Sequence, residues 1–257
     1  MTHPASLTGP RLLAGRTIHP LGLGCMGMSE FYGQSDDAES LATLHAAVDM
    51  GVAHFDSADT YGFGHNEELL GRFLRTLSAQ QRDGLVVATK FGIVREKGRY
   101  ERRIDNSPAY IRAACEASLK RLGVERIGLY YCHRRDPQVP LEDMVGTLEP
   151  GDFRLALPRF QGEAAAANLA LQQGLAAIAT ELGQPAAAVA LAWLLHRQPH
   201  VLPIPGTRRL HHLQQNLAAS ALVLPAPVVQ ALDTLFAPGR AQGERYPDAG
   251  WAGVETR

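Results

Sequence analysis

The stretch "GLVVATKF", residues 84–91, is a near-continuous apolar run that ends on a lysine. Unbroken apolar runs of this length read as strands covered on both faces, the hallmark of a parallel sheet. Two further runs repeat the form. "VAHFDSA" (52–58) carries Asp56 near its end, with Tyr61 in the loop beyond, and "RIGLYYCH" (126–133) ends on His133. "LGLGCM" (21–26) is an earlier, Gly-rich strand candidate, and "RLLAGRTI" (11–18) reads as a hairpin turning at Ala14-Gly15.

Helical patterns lie between these strands. The first runs from Ala38 to Met50, with Asp36 and Glu39 as a capping box and Gly51 at its close. The second carries Leu69, Leu70, Phe73 and Leu74, with Asn66 expected as its cap. The third starts at Ser107-Pro108, turns Ile111, Ala114, Ser118, Leu119 and Leu122 inward and closes at Gly123. A helix is expected from near Leu141. Late in the chain come a strand "HVLPIPGT" (200–207), a helix around Leu210 to Ser220 and a last helix from Pro227 to Phe236. Strand and helix in alternation predict parallel βα units, whose reactive residues collect at the C-terminal ends of the strands.

Asp56, Lys90 and His133 stand at such ends, with Tyr61 in the loop after one of them. A lysine there is costly unless its charge is paired, and Asp56 on the neighbouring strand is the expected partner. A tyrosine beside that ammonium is expected to have its pKa lowered. It can then exchange a proton with a carbonyl or alcohol oxygen, with His133 as a second donor to that oxygen. Each residue alone has a plainer reading as packing or a surface charge, and Asp59 reads as a turn residue bonding its own backbone. A metal site of Asp56, Asp59, His65 and His133 is disfavoured, because Lys90 would repel the ion. At the other end of the chain, "PIPGT" followed by "RRLHHLQQN" is a Gly turn into a helix N-terminus, a phosphate-binding geometry with Arg208 and Arg209 beside it.

The totals narrow the field. The 257 residues are 46% hydrophobic, and 25 basic against 26 acidic side chains leave a net charge of −1. Nothing there points to a nucleic-acid partner. The basic stretch "REKGRYERR" (95–103) reads as a solvated loop. Three cysteines without a CxxC pattern argue against a disulfide framework and fit a cytoplasmic protein. The longest apolar run, Ala186 to Leu195, is half a membrane span.

With both ends read, the sequence strongly resembles the aldo-keto reductase family, in the bacterial and plant branch that begins "GLGCMGMS". The resemblance rests on "LGLGCMGMSEFYG" (21–33), "HFDSADTYGFGHNEELLG" (54–71), "ATKFG" (88–92), "LYYCHRRDPQVPLEDMVGTL" (129–148), "PRFQGE" (158–163) and "LPIPGTRRLHHLQQNL" (202–217). It implies a TIM-type (β/α) barrel that binds NADPH and reduces aldehydes or ketones. It further implies Tyr61 as proton donor, Asp56 and Lys90 as the pair that tunes it, and His133 as the substrate-orienting histidine. Gly206, Thr207, Arg208, His212, Gln215 and Asn216 match the adenosine-phosphate and adenine contacts. His212 stands where many relatives carry arginine.

One departure is large. Relatives continue past Leu148 with three more strands and two helices before "PRFQGE", whereas here Glu149-Pro150-Gly151 follows at once. At ~30 residues per βα unit, roughly 60–90 residues are absent. The expectation is therefore one domain over 1–257, an incomplete barrel with about five of eight strands and an internal deletion at about 148–150. The absent block is the part that, in the family, holds the nicotinamide. The sheet order expected is fourth, third, second, first, last, with open edges prone to self-association. The alternative to an active reductase is a truncated relative that binds dinucleotide weakly or serves as an interaction subunit.

Overall fold

The computed structural model describes residues 9–97, 99, 102–105, 108–133, 158–197 and 200–244. β1 (Arg11–Leu13) and β2 (Arg16–Ile18) form the expected antiparallel hairpin. Its turn residues Ala14 and Gly15 both have positive φ, as a two-residue hairpin turn requires. β3 (Leu23–Gly24) opens the main sheet. α1 (Asp37–Asp49) follows, its N-terminus capped by the Asp36 carboxylate, which accepts the Glu39 N–H at 2.8 Å. β4 (His54–Asp56) is fully buried, and α2 (His65–Thr76) packs over it.

α3 (Ala79–Gly84) is a short helix with a Ser78/Gln81 capping box, not anticipated from the sequence. β5 (Val86–Phe91) is the central strand. The basic stretch after it has strands at both ends: β6 (Ile93–Arg95) and β7 (Arg102–Ile104) pair antiparallel, and Glu96, Lys97 and Arg99 between them are exposed. α4 (Pro108–Leu122) and β8 (Leu129–Cys132) complete the first half. The expected helix near Leu141 and the junction at 148–150 lie outside the described residues. α5 (Gly162–Glu181), α6 (Ala186–Arg197), α7 (Leu210–Ala218) and α8 (Ala226–Leu235) form the second half.

The main sheet is parallel, in the order β3-β4-β5-β8. Residues 200–207 do not form the expected strand, yet part of that segment runs where the strand was placed. Gly22 and Gly24 donate to the carbonyls of Pro203 and Pro205 at 3.0 and 3.3 Å, and Gly24 bridges Gly206 in parallel. Pro203 and Pro205 have no N–H to complete a ladder, which reduces the pairing to a bridge. The approach is close: a Cβ on Gly24 would stand 2.7 Å from the Ile204 carbonyl oxygen, so only glycine fits. The sequence of neighbours is thus β8, β5, β4, β3 and the 203–206 segment, as expected for an incomplete barrel. Among the described residues nothing pairs with the outer edge of β8.

Two apolar cores result. The first joins the sheet to α1, α2 and α4 through Leu23, Leu44, Phe55, Leu69, Phe73 and Leu122. Gly71 lets α2 sit directly on α4, where a Cβ would meet the Arg121 carbonyl oxygen at 2.3 Å. The second core lies among α5, α6 and α8, around Leu175, Leu191, Leu195 and Leu232. There the Trp193 indole donates to the Asp233 carboxylate at 2.8 Å. Among the described residues no single helix is long and apolar enough to cross a membrane. α5 and α6 pass such a test only as a pair, bent by 93° and packed into this core.

Candidate active site at the strand ends

Register sets the site. Gly24 is level with Asp56, Asp56 with Ala88, and Lys90 with Tyr131. Neighbouring strands stand about 4.8 Å apart, so these ends form one row. Asp56 is buried at the end of β4, and Tyr61 is buried in the 3₁₀ turn that follows it. The turn is held by Tyr61 N–H to Ala58 O at 3.2 Å and by Phe63 N–H to Thr60 O at 3.2 Å.

Lys90 reaches across from β5 and uses all three ammonium hydrogens. It forms an ion pair with Asp56 Oδ1, donates to the Ser57 carbonyl at 2.7 Å and donates to the Tyr61 hydroxyl at 3.3 Å. Burial alone would lower the pKa of Lys90, but the Tyr61 hydroxyl and the Asp56 carboxylate outweigh it, so the ammonium is held above its ordinary value. His133 sits just past β8, tied by its backbone N–H to Phe91 O at 2.8 Å. Its ring meets the Tyr61 ring edge-on, with centroids 5.5 Å apart and planes at 85°. The four residues, from three separate sequence stretches, therefore meet.

One expectation is corrected. The Tyr61 pKa is raised, not lowered: burial pushes the phenol up by more than Lys90 pulls it down, and Asp56 adds to the rise. Burial thus favours the neutral phenol, whose oxygen accepts from Lys90. Asp59 is more than a turn residue. Its backbone N–H donates to Lys90 O at 3.1 Å, and its carboxylate accepts from Tyr110 at 3.4 Å. Burial, reinforced by nearby Glu67, pushes its pKa up to about 7.

Some supporting residues escaped the sequence reading. Asn66 does not cap α2, which starts from Gly64. It is buried, donates to Cys25 O and Ser29 Oγ at 2.7 Å each, and accepts from Ser57 Oγ at 2.6 Å. The signal was present, since Asn66 lies three and four residues before Leu69 and Leu70 on the inward face. Glu67, fully buried, accepts from Thr89 Oγ1 at 2.5 Å and from Arg121 Nε at 2.6 Å, locking α2 to β5 and α4. His65 is turned to Ser29 and Asp37. Among the described residues no group of three His, Cys, Asp or Glu side chains is placed to hold a metal.

At the second end, Gly206 adjoins Gly24, one strand from Asp56. Thr207 Oγ1 accepts the Arg209 N–H at 3.1 Å. The Arg208 guanidinium donates to the Tyr32 carbonyl, while its own carbonyl accepts from Thr43 at 2.7 Å. Arg209 is the N-cap of α7 and gives it no side-chain cap, so the first-turn N–H groups face outward from that end. His212 and Gln215 lie together on α7 at 3.3 Å, both exposed, whereas Asn216 is buried.

A family-wide profile, the aldo/keto reductase family, matches residues 20–152 and 153–237. The chain belongs to that family. An NADP(+) aldo-keto reductase, yakc, of Schizosaccharomyces pombe is 28% identical over 321 residues, covering 92% of this chain and 94% of the relative. Among solved structures, the glycerol dehydrogenase of Gluconobacter oxydans superimposes with a TM-score of 0.71 at 20% identity, covering 95% of this chain and 99% of that one. An aldo-keto reductase of Klebsiella pneumoniae in complex with NADPH gives 0.61 at 22%, covering 93% and 99%. At such identities the structures speak for the fold. The main sheet of this chain is parallel, and its closure into a barrel is not seen among the described residues.

Proposed function

We propose that the chain is an NADPH-dependent oxidoreductase that reduces aldehydes or ketones to alcohols. The observation that carries this reading is the Lys90 ammonium, which joins the buried Asp56 carboxylate to the Tyr61 hydroxyl. Tyr61 is the proton donor to the carbonyl oxygen. Lys90 orients that hydroxyl and stabilises the phenolate left behind, and Asp56 fixes Lys90. His133, beside the Tyr61 ring, is the second donor to the same oxygen.

The residues of the second end fit a dinucleotide. Gly206, Thr207 and Arg208 would meet the adenosine phosphate and the uncapped start of α7, while His212, Gln215 and Asn216 would flank the adenine. When bound, NADPH supplies the hydride that the carbonyl carbon receives. Replacing Tyr61 by Phe keeps the ring and removes only the proton. Reduction of a simple aldehyde should fall by about 10²–10⁴-fold with NADPH binding nearly intact. A variant that retains more than half the parental rate would show that Tyr61 is not the acid.

We further propose that the chain is one domain with an internal segment missing at about 148–150. The family match falls in two pieces that abut at 152 and 153, which supports this. So does the alignment to the fission-yeast relative. It extends over 321 positions, although 92% of 257 residues is only about 236, leaving about 85 positions without a counterpart here. Turnover should then lie below the ~1–10³ s⁻¹ usual for enzymes. The outer edge of β8, where Tyr131 is 38% exposed, suits pairing with another chain. A cytoplasmic setting fits the three free cysteines. Light scattering during gel filtration tests the association, and a monomer that turns over several times per second would sink the reading of an associating, poorly active chain and show that the absent strands are dispensable.

A further inference from the structure

Arg95, the last residue of β6, lies where three loops meet. Its side chain is only 12% exposed, although the sequence around it is strongly charged. Nη1 donates to Glu30 Oε1 at 2.7 Å and to the Thr60 carbonyl at 3.2 Å. The guanidinium carbon is 5.1 Å from the centroid of the Phe31 ring and 4.7 Å from that of Phe63. A desolvated guanidinium is attracted to the electron-rich face of an aromatic ring. One cation thus ties the loop after β3, the loop after β4 and the hairpin after β5.

Both phenylalanines are held with positive φ, +76° at Phe31 and +57° at Phe63. A bulky side chain rarely takes that conformation, and surroundings must over-determine it. Here Arg95 is the shared neighbour of both. Its bond to Thr60 has a direct consequence, because Thr60 immediately precedes Tyr61. The same carbonyl accepts the Phe63 N–H, closing the turn on which Tyr61 stands.

We propose that Arg95 is a positioning residue: it clamps the Phe31 and Phe63 loops together and so fixes where the Tyr61 hydroxyl stands above Lys90. The proposal rests on Tyr61 as the proton donor, yet its test needs no turnover. Tyrosine ζ-carbons are labelled with ¹³C in the full chain, and Tyr61 is assigned by the signal that Tyr61→Phe removes. In Arg95→Ala the Tyr61 signal should move and broaden. The indole N–H of Trp193, in the second core, should stay in place. Arg95→Lys should recover less than half of the displacement, because an ammonium cannot lie flat between two rings. Any measurable kcat should fall on the order of 10-fold or more in Arg95→Ala, with NADPH affinity unchanged.

If Arg95→Ala does not fold, Glu30→Gln takes its place and should displace the same signal in the same direction, by less. A folded variant whose Tyr61 signal superimposes on the parent's overturns the proposal. So does equal displacement of the Tyr61 and Trp193 signals, which would mean general loosening. A displaced Tyr61 signal in a protein whose Tyr61→Phe variant keeps its activity would leave the clamp standing and remove the proton-donor reading instead.

Discussion

The two ends of the site are made differently. At the proton-transfer end, Lys90 bonds to residues 29 to 34 positions away in sequence, and Asp56 and Tyr61 are buried. At the dinucleotide end the side-chain bonds are short in sequence, Thr207 to Arg209 and His212 to Gln215, and both α7 side chains of that second pair are exposed. Arg208 is the exception, since it reaches back to Tyr32. The first end exists only when the sheet is formed. The second is mostly the start of one helix, and a ligand would organise it further. Substitutions should therefore cost fold stability at the first end and ligand affinity at the second.

The largest effect that can break this contrast is at Lys90. Lys90→Met leaves the Asp56 carboxylate buried without its cation, which typically costs about 3–5 kcal/mol. A chain of this size should lose about 10 °C or more in Tm. His212→Ala, at the other end, should stay within about 0.5 kcal/mol. Urea unfolding of the two variants checks the pair. Similar losses from both would mean that the two ends are not differently built.

The same contrast governs what the sequence reveals. The strand order was legible because each parallel strand is a short apolar run, and the reactive residues stand where those runs stop. That Asp56, Tyr61, Lys90 and His133 come together was legible for the same reason. The segment 200–207 was placed correctly but misread as a strand, since its apolar pattern says nothing of two missing N–H donors at Pro203 and Pro205. The direction of the Tyr61 shift was not legible, because charge proximity can be guessed from strand ends while burial depends on the whole turn. Arg95 was hidden for a related reason. Its neighbours in sequence are charged, and the rings that bury it come from residues 31 and 63.

A middle-sized effect sharpens the second end. A 2′-phosphate beside the Arg208 guanidinium would gain a charge-assisted bond worth about 1.5–3 kcal/mol. Arg208→Leu should weaken NADPH by about 10- to 150-fold and leave NADH within a few-fold. Quenching of intrinsic fluorescence during titration measures both constants. Equal weakening of the two nucleotides would mean that Arg208 supports the loop and does not read the phosphate.

The smallest effect tests whether the built end carries an unrelieved charge. Asp59 lies beside the Lys90 carbonyl with its pKa pushed up to about 7, chiefly by burial and then by Glu67. In the unfolded chain an aspartate titrates near ~3.9. Between about pH 4 and pH 7 the folded protein thus holds a proton that the unfolded chain has released. Stability contributed by this group is full below about pH 4, falls as pH rises through that window, and is flat above it. Asp37 acts in the opposite sense: burial alone would raise its pKa, but hydrogen bonds to Arg72 and His65 outweigh that and hold it low, so its contribution is lost on acidification. A single pH curve mixes the two. The difference between the parent and Asp59→Asn isolates the first, because asparagine keeps a carbonyl oxygen for the Tyr110 hydroxyl and has nothing to ionise. The variant should match the parent near pH 4 and exceed it by about 1 kcal/mol at pH 8, a fraction of the full linkage value because water reaches part of the carboxylate. Urea midpoints at half-unit pH steps would show the gap opening with alkalinity. Two parallel curves would mean that Asp59 ionises freely, and that the proton-transfer end holds no strained charge besides the Lys90 pair.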